Sequence, residues 1–191
     1  MSSKWCFTIQ KAWQWRKALK QALSNAHAIP TLTALTAESL HNRHVRCLVL
    51  DFDGVMASQH ETEVHPDVAA WLMNLAKEWP LTQVAVLSNK PFSVRIQALA
   101  QKFPDIQFIQ GVAPKPFPMG LQEVARQRGL ATDELLLVDD RLCTGMLAVT
   151  LAGAQGMLVL YPYQDFRKRP VTEGFFATLR WVERALVRTL A

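Results

Sequence analysis

The feature that most constrains this chain is a series of short, continuously apolar segments that alternate with segments of helical periodicity. Five such segments precede residue 161, at 46–50, 83–87, 106–109, 135–138 and 157–160. Strands that are apolar on both faces and alternate with helices are typical of a parallel sheet covered by helices on both sides. The sequence therefore predicts an α/β three-layer sandwich around a mostly parallel, five-stranded central sheet.

Composition and charge narrow the class of protein further. Half of the 191 residues are apolar and 19% are charged, which excludes a disordered or rod-like chain. Five of the 21 basic residues precede the first acidic residue, Glu38, so the remainder holds 21 − 5 = 16 basic and 16 acidic residues. Because the excess positive charge lies in the N-terminal segment alone, we do not expect nucleic-acid binding.

The three cysteines form no Cys-x-x-Cys pair, which argues against a zinc site and against a disulfide framework. A reducing compartment such as the cytoplasm is therefore favoured. No apolar run approaches the roughly 18 residues of a transmembrane helix. A peripheral membrane location and organellar targeting stay open as alternatives.

Polar residues follow four of the predicted strands. They are Asp51 and Asp53 after the first strand, Ser88 and Asn89 after the second, Lys115 in the loop after the third, and Asp139 and Asp140 after the fourth. Ligands of parallel sheets bind at the carboxyl ends of the strands. Clustered carboxylates repel each other, and a Mg²⁺ ion, which prefers oxygen ligands, would relieve that repulsion. A lysine beside the carboxylates would neutralise the charge of a phosphate. The set predicts a Mg²⁺ site for phosphoryl transfer.

Each of these motifs taken alone has a simpler explanation. An Asp-x-Asp pair is often a solvated turn, and the Asp139-Asp140 pair could open a helix. Ser88 and Asn89 could cap a helix, and a single lysine such as Lys115 is usually on the surface. Only the ordered set, with each member at the end of a strand, is specific.

The ordered set resembles the haloacid-dehalogenase (HAD) phosphatase superfamily, over about residues 45–165. The motifs that carry the resemblance are Asp51-x-Asp53-Gly54-Val55, Ser88, Lys115-Pro116 and Asp139-Asp140. Within subfamily IIIA, the segments 87–89, 113–116 and 138–144 are similar to the YqeG-like branch, which includes the mitochondrial phosphatidylglycerophosphate phosphatases. The resemblance implies a HAD-like Rossmannoid fold and hydrolysis of a phosphomonoester with Mg²⁺.

The resemblance also implies a role for each site residue. Asp51 would be the nucleophile that forms an aspartyl-phosphate, and Asp53 would be the general acid and base, with its backbone carbonyl on the metal. The phosphoryl group would be held by Ser88, Asn89 and Lys115. The metal would be held by Asp51, Asp53 and Asp140, with Asp139 as a second candidate.

Two glycines depart from the pattern of this branch. Gly54 stands where the branch normally has Asn, and Gly145 stands where it has an acidic residue. Asp139, where the branch has Gly, offers a carboxylate that can replace the one missing at residue 145. A non-catalytic interaction module on a HAD scaffold is the alternative that Gly145 raises.

The connections between the predicted strands are too short to contain a cap domain, so we expect a capless enzyme with an open site. An open site favours a large or surface-bound phosphomonoester, and the branch resemblance implies phosphatidylglycerophosphate. The alternative is a soluble or protein-borne phosphoester.

The N-terminal segment bears on the choice of substrate. We expect residues 1–40 to form a basic, amphipathic helical segment and residues 41–191 to form the phosphatase domain. Residues 4–23 combine basic residues with aromatic and aliphatic ones, a pattern that suits an anionic membrane surface. Packing of this segment on the phosphatase body and a targeting sequence are the alternatives.

Overall fold

The apolar segments form one parallel sheet in the computed structural model, which describes residues 2–190. The strands are β1 (Ala28–Ile29), β2 (Cys47–Leu50), β3 (Val84–Val86), β4 (Gln107–Phe108), β5 (Leu135–Asp139) and β6 (Gln155–Val159). Their order across the sheet is β1-β6-β5-β2-β3-β4, and all neighbours are parallel. The predicted α/β class and parallel sheet are confirmed.

The predicted number of strands, five, is wrong, because β1 adds a sixth at one edge of the sheet. This strand has two residues, Ala28 and Ile29, which pair with Leu158 and Val159 of β6. A strand this short has no periodicity of its own. Its position is set by pairing with a segment about 130 residues later in the chain, which no local pattern reveals.

Eight α-helices accompany the sheet within the described residues. They are α1 (Ser2–Gln14), α2 (Arg16–Gln21), α3 (Ala37–Asn42), α4 (Pro66–Leu75), α5 (Ser93–Lys102), α6 (Met119–Arg128), α7 (Leu147–Ala152) and α8 (Pro170–Leu190). Proline is favoured in the first turn of a helix, where its missing N–H costs nothing, and Pro66 begins α4. Gly129 ends α6 in the left-handed conformation, with φ 61°.

Successive side chains of β2 enter two separate hydrophobic cores, one on each face of the sheet. Leu48 and Leu50 pack in the core with α3 and α4, whereas Cys47 and Val49 pack in the core with α6 and α7. All four side chains are fully buried. This alternation explains why the strand is apolar throughout, and it produces the three layers.

In the part of the chain that the structure describes, no inserted domain covers the carboxyl edge of the sheet. The connection from β2 to β3 contains a loop and α4, and the connection from β3 to β4 contains α5. Neither connection contains an inserted domain. The described chain is therefore capless, as the sequence predicts.

The first 40 residues contribute to the body of the molecule as well as to its surface. Leu19 of α2 is completely buried in the core beside α6 and α7, and Phe7 of α1 stacks on Phe117 with ring centroids 4.7 Å apart. The division at residue 40 stays a prediction, and Met1 and Ala191 lie outside the described residues. Between residues 2 and 190, no helix has the length and apolar character needed to cross a membrane.

Candidate active site

The predicted site residues lie at the carboxyl ends of the central strands β2, β3 and β5. Asp51 directly follows β2, and its N–H continues the ladder to the carbonyl of Val138 at 2.9 Å. Asp139 ends β5 and Asp140 follows it. Ser88 comes two residues after the end of β3. Since parallel strands all end at the same edge, regular pairing alone brings these segments together.

A lysine and three carboxylates form the centre of the site. One carboxylate oxygen from each of Asp51, Asp139 and Asp140 lies within 4.8 Å of the others. The Nζ atom of Lys115 lies 3.0 Å from Oδ1 of Asp51 and 2.5 Å from Oδ2 of Asp139. Lys115 is only 2% exposed although it comes from a loop. The structure thus brings together four of the predicted site residues.

Burial and mutual repulsion perturb the ionisable groups of this centre. Burial raises the pKa of Asp51 well above its ordinary value, against the opposing charge of Lys115. Burial and then the nearby Asp139 raise the pKa of Asp140 to about 6. Burial acts to lower the pKa of Lys115, but Asp139 and Asp51 outweigh it and raise that pKa above its ordinary value. The lysine is therefore held as a cation, whereas Asp51 and Asp140 lose their protons less readily than isolated carboxyl groups do.

Asn89 fixes the backbone that carries the lysine. Its Oδ1 accepts a hydrogen bond from the N–H of Lys115 at 2.7 Å, and its Nδ2 donates to the carbonyl of the same residue at 3.1 Å. This reciprocal pair occupies both polar atoms of the amide, so Asn89 acts on the site through Lys115. Ser88 is 7% exposed, and its Oγ accepts from the N–H of Lys90 at 3.1 Å, which leaves its hydroxyl hydrogen available to donate.

Asp53 lies outside the carboxylate cluster and is held by a buried arginine. Nη2 and Nη1 of Arg95 lie 2.9 and 3.2 Å from the two carboxylate oxygens of Asp53, and the N–H of His60 donates to the same carboxylate at 3.0 Å. Arg95 is completely buried, and its guanidinium lies 4.0 Å from the ring centroid of Phe52. The pair fixes the orientation of Asp53.

Arg95 was not predicted as a site residue, although its helix carries a signal. In α5 the buried positions are Arg95 and Leu99, one turn apart. An arginine in line with an apolar helix face needs a buried partner, because an unpaired buried charge is unfavourable. The pattern could have indicated such a partner, but not which carboxylate it was.

Helix α8 closes the other side of the site with a second buried ion pair. Nη1 of Arg180 lies 2.7 Å from Oδ2 of Asp140. One turn on, Glu183 accepts from Nε of Arg141 at 3.0 Å and from the N–H of Leu142 at 3.0 Å. The helix therefore orients both Asp140 and the segment that follows it.

Two glycines leave room for the carboxylates of β5. A Cβ atom on Gly54, which has φ +84°, would lie 2.5 Å from Oδ2 of Asp140. A Cβ atom on Gly145 would lie 2.0 Å from Cγ of Asp139. The side chain of Asp139 thus occupies the space that any side chain at residue 145 would need.

A parallel α/β sheet with carboxylates and a lysine at its carboxyl edge is the arrangement that the motifs predicted for a phosphatase of the HAD superfamily. Residues 17–163, about three quarters of the chain, match the family described as Mitochondrial PGP phosphatase. The chain therefore belongs to that family, as the motifs predicted.

A solved structure shows the same fold, and a second one is similar in sequence. A protein from Streptomyces avermitilis that is assigned to the HAD family hydrolases is 22% identical, with a TM-score of 0.50, and the match covers 84% of this chain and 100% of that one. An uncharacterized protein from Corynebacterium glutamicum is 25% identical, with a TM-score of 0.47, and the match covers 72% and 96% of the two chains. No curated protein matches the chain.

Proposed function

We propose that this phosphatase hydrolyses a lipid phosphomonoester, phosphatidylglycerophosphate, at a membrane surface, with Mg²⁺ and through an aspartyl-phosphate on Asp51. The observation that carries the proposed chemistry is the position of the Lys115 Nζ atom, 3.0 Å from Asp51 and 2.5 Å from Asp139. A buried lysine beside the carboxylate that would attack phosphorus can bind the oxygens of a transferring phosphoryl group.

In the proposed reaction a carboxylate oxygen of Asp51 forms a bond to phosphorus as the bond from phosphorus to the leaving oxygen breaks. Asp53, protonated on one oxygen and held by Arg95 through the other, gives its proton to the leaving oxygen, and then takes a proton from the water that hydrolyses the aspartyl-phosphate. Ser88 and Lys115 bind the phosphoryl oxygens throughout. The products are an alcohol and inorganic phosphate, and Asp51 is regenerated.

The donor set of the cluster fits a hard divalent cation. Among the described residues, three carboxylates, from Asp51, Asp139 and Asp140, form ion pairs with two cations, Lys115 and Arg180, and the charge of Arg141 acts on Asp140 from farther away. Both oxygens of Asp139 already accept hydrogen bonds, from Lys115 and from the N–H of Arg141, so Asp51 and Asp140 are the ligands we favour. When bound, Mg²⁺ supplies positive charge that favours ionised carboxylates and neutralises phosphoryl oxygens.

An apolar groove supports a lipid as the substrate. The groove has a volume of about 710 Å³ and lies between α1 and α8, with Ile9, Phe175 and Leu186 in its walls. Asn89 and Thr144 also line it, so the groove reaches the catalytic edge of the sheet. A soluble sugar phosphate has no apolar part that would cover such walls, whereas an acyl chain does.

The exposed face of α1 supports a membrane surface as the site of action. Trp5, Ile9 and Trp13 are each more than half exposed, and the segment that follows contains Lys17 and Lys20. Aromatic rings flanked by basic residues suit the interface of an anionic bilayer. Trp5, Ile9 and Trp13 also line the apolar groove, so this face of α1 adjoins the proposed lipid site.

The catalytic proposal is tested with a soluble aryl phosphate and with phosphatidylglycerophosphate in vesicles, in the presence of Mg²⁺. We expect turnover of both by the full-length protein, and a loss of about 10³-fold or more in Asp51→Asn. Equal inertness of the wild type and Asp51→Asn on both substrates would instead support a non-catalytic module. Turnover of the aryl phosphate with none of the lipid would favour a soluble or protein-borne substrate.

The membrane proposal is tested by flotation with vesicles that contain phosphatidylglycerol. Trp5→Ser/Trp13→Ser is expected to reduce flotation, because it removes two exposed rings without altering the catalytic centre. Met73→Ser is the matched control, since Met73 is 58% exposed on α4, on the other side of the sheet. Equal flotation of all three proteins would contradict the role of α1.

A further inference from the structure

A second cavity, of about 390 Å³, lies between another face of α8 and the segment that follows β6. Three arginines of α8 line it at intervals of four residues, Arg180, Arg184 and Arg188. The rings of Tyr161 and Trp181, each 70% exposed, also line this arginine pocket. No carboxylate lines the pocket among the residues that the structure describes, so the only charges in its lining are those of the three arginines, of which Arg180 also pairs with Asp140.

One donor in this pocket lacks an acceptor. Arg180 is 4% exposed, and its Nη1 pairs with Asp140, but its Nη2 is buried and has no hydrogen-bond partner within residues 2–190. Buried N–H groups are almost always paired, because an unpaired donor loses its hydrogen bonds to water and gains none in the protein. An acceptor from outside the described chain would therefore satisfy the Nη2 atom of Arg180.

The neighbouring arginines are held close together in spite of their repulsion. Arg184 donates to the carbonyls of Val159 and Leu160 at 3.0 and 3.1 Å, which fixes its guanidinium beside the end of β6. Burial, and then the charge of Arg180, lower the pKa of Arg184. An oxyanion in the pocket would relieve this repulsion and satisfy the unpaired donor, since arginine binds phosphate oxygens with strong, charge-assisted hydrogen bonds.

We propose that the arginine pocket binds a phosphate group, distinct from the phosphoryl group that reacts at Asp51. Arg180 links the two positions, because the same guanidinium pairs with Asp140 of the catalytic cluster and lines the pocket. The bound group is either the phosphodiester of the lipid substrate itself or a free phosphate ion. The first source rests on the proposed function, whereas the second does not.

The pocket is tested in the full-length protein with two variants and a control. Arg188→Gln removes an exposed side chain that has no hydrogen bond or ion pair among the described residues, so it should leave the fold intact. Arg184→Gln/Arg188→Gln removes two of the three charges. Arg167→Gln is the matched control, because Arg167 is an exposed arginine near the start of α8 that does not line the pocket.

The first measurement titrates inorganic phosphate into each protein without Mg²⁺, so that the anionic catalytic cluster disfavours binding there. We expect the double variant to weaken phosphate binding about tenfold and Arg188→Gln about threefold, with Arg167→Gln unchanged. The second compares KM for vesicle-borne phosphatidylglycerophosphate with KM for phosphatidate, which has no phosphodiester. If the pocket binds the phosphodiester, the double variant raises the ratio of the two KM values about tenfold.

The outcomes separate the two sources from each other and from the proposed function. A raised KM ratio assigns the pocket to the phosphodiester of the substrate. Weaker phosphate binding with an unchanged KM ratio assigns it to free phosphate. Weaker phosphate binding by a protein that hydrolyses no phosphoester keeps the pocket and overturns the proposed function. No change in either measurement, relative to Arg167→Gln, overturns the pocket.

Discussion

Replacement of Arg95 by methionine tests whether the buried arginine is what holds Asp53 in place. Arg95 is 0% exposed and donates to both oxygens of Asp53, to the carbonyl of Glu61 at 2.8 and 3.0 Å, and to the carbonyl of Lys90 at 3.1 Å. Methionine fills much of the same volume but donates nothing. The substitution therefore removes the donors of two carbonyls and leaves the carboxylate of Asp53 with the N–H of His60 but no cation.

The expected loss of stability follows from the burial of the pair. Asp53 is 8% exposed, so removal of its partner leaves a nearly buried charge uncompensated, which typically costs about 3–5 kcal/mol. In a domain of this size such a loss lowers Tm by about 10 °C. We also expect slower turnover of an aryl phosphate, because Asp53 would lose the orientation that its proposed proton transfer needs.

The assay is urea denaturation followed by tryptophan fluorescence and far-ultraviolet circular dichroism. Arg126→Met is the control, because the pair between Arg126 and Glu123 lies on the surface and its loss should leave the midpoint unchanged. Asp53→Asn/Arg95→Met should be more stable than Arg95→Met alone, since it also removes the unpaired charge. A loss below about 1 kcal/mol in Arg95→Met, or no recovery in the double variant, would refute this account.

Three further predictions concern the metal, the glycine and the thiols. Because the pKa of Asp140 is raised to about 6, protons compete with Mg²⁺ for this carboxylate below pH 6. The Mg²⁺ concentration at half-saturation should therefore rise about tenfold for each pH unit below 6. Gly145→Asp and Asp139→Gly should each reduce turnover more than about tenfold, and their combination should restore it. Ellman's reagent at pH 8 should modify exposed Cys6 but spare Cys47, whose pKa burial raises to about 11, until urea is added.

Local patterns predicted those parts of the fold that neighbouring residues determine. Helix α6 ends at Arg128, where the sequence places Gly129 next, because this glycine supplies the left-handed residue that ends the helix. The central strand β5 was predicted at 135–138, and the structure extends it by one residue, to Asp139. A strand that is buried on both faces is apolar at every position, which makes it recognisable in the sequence. The two residues of β1 are too few to form such a pattern.

The partners of the site residues could not be predicted, because each pair joins distant parts of the chain. Asp53 and Arg95 are 42 residues apart, and Asp140 and Arg180 are 40 residues apart. Spacing along a helix or strand indicates which residues share a face, but not which face meets another element. The ordered motifs indicated that carboxylates and a lysine converge, since the ends of parallel strands always do.

The relation between Asp139 and Gly145 shows how a departure from a family pattern can preserve the chemistry. Taken alone, the absence of a carboxylate at residue 145 suggests a weakened site. In the structure the carboxylate of Asp139 lies where a side chain at residue 145 would begin, and it contacts Lys115 at 2.5 Å. A single space can hold one of these two side chains but not both, because Cβ of the second would lie 2.0 Å from Cγ of the first. The negative charge beside the lysine is therefore retained, although it is attached to a different residue, and Gly145 by itself gives no reason to regard the site as degenerate.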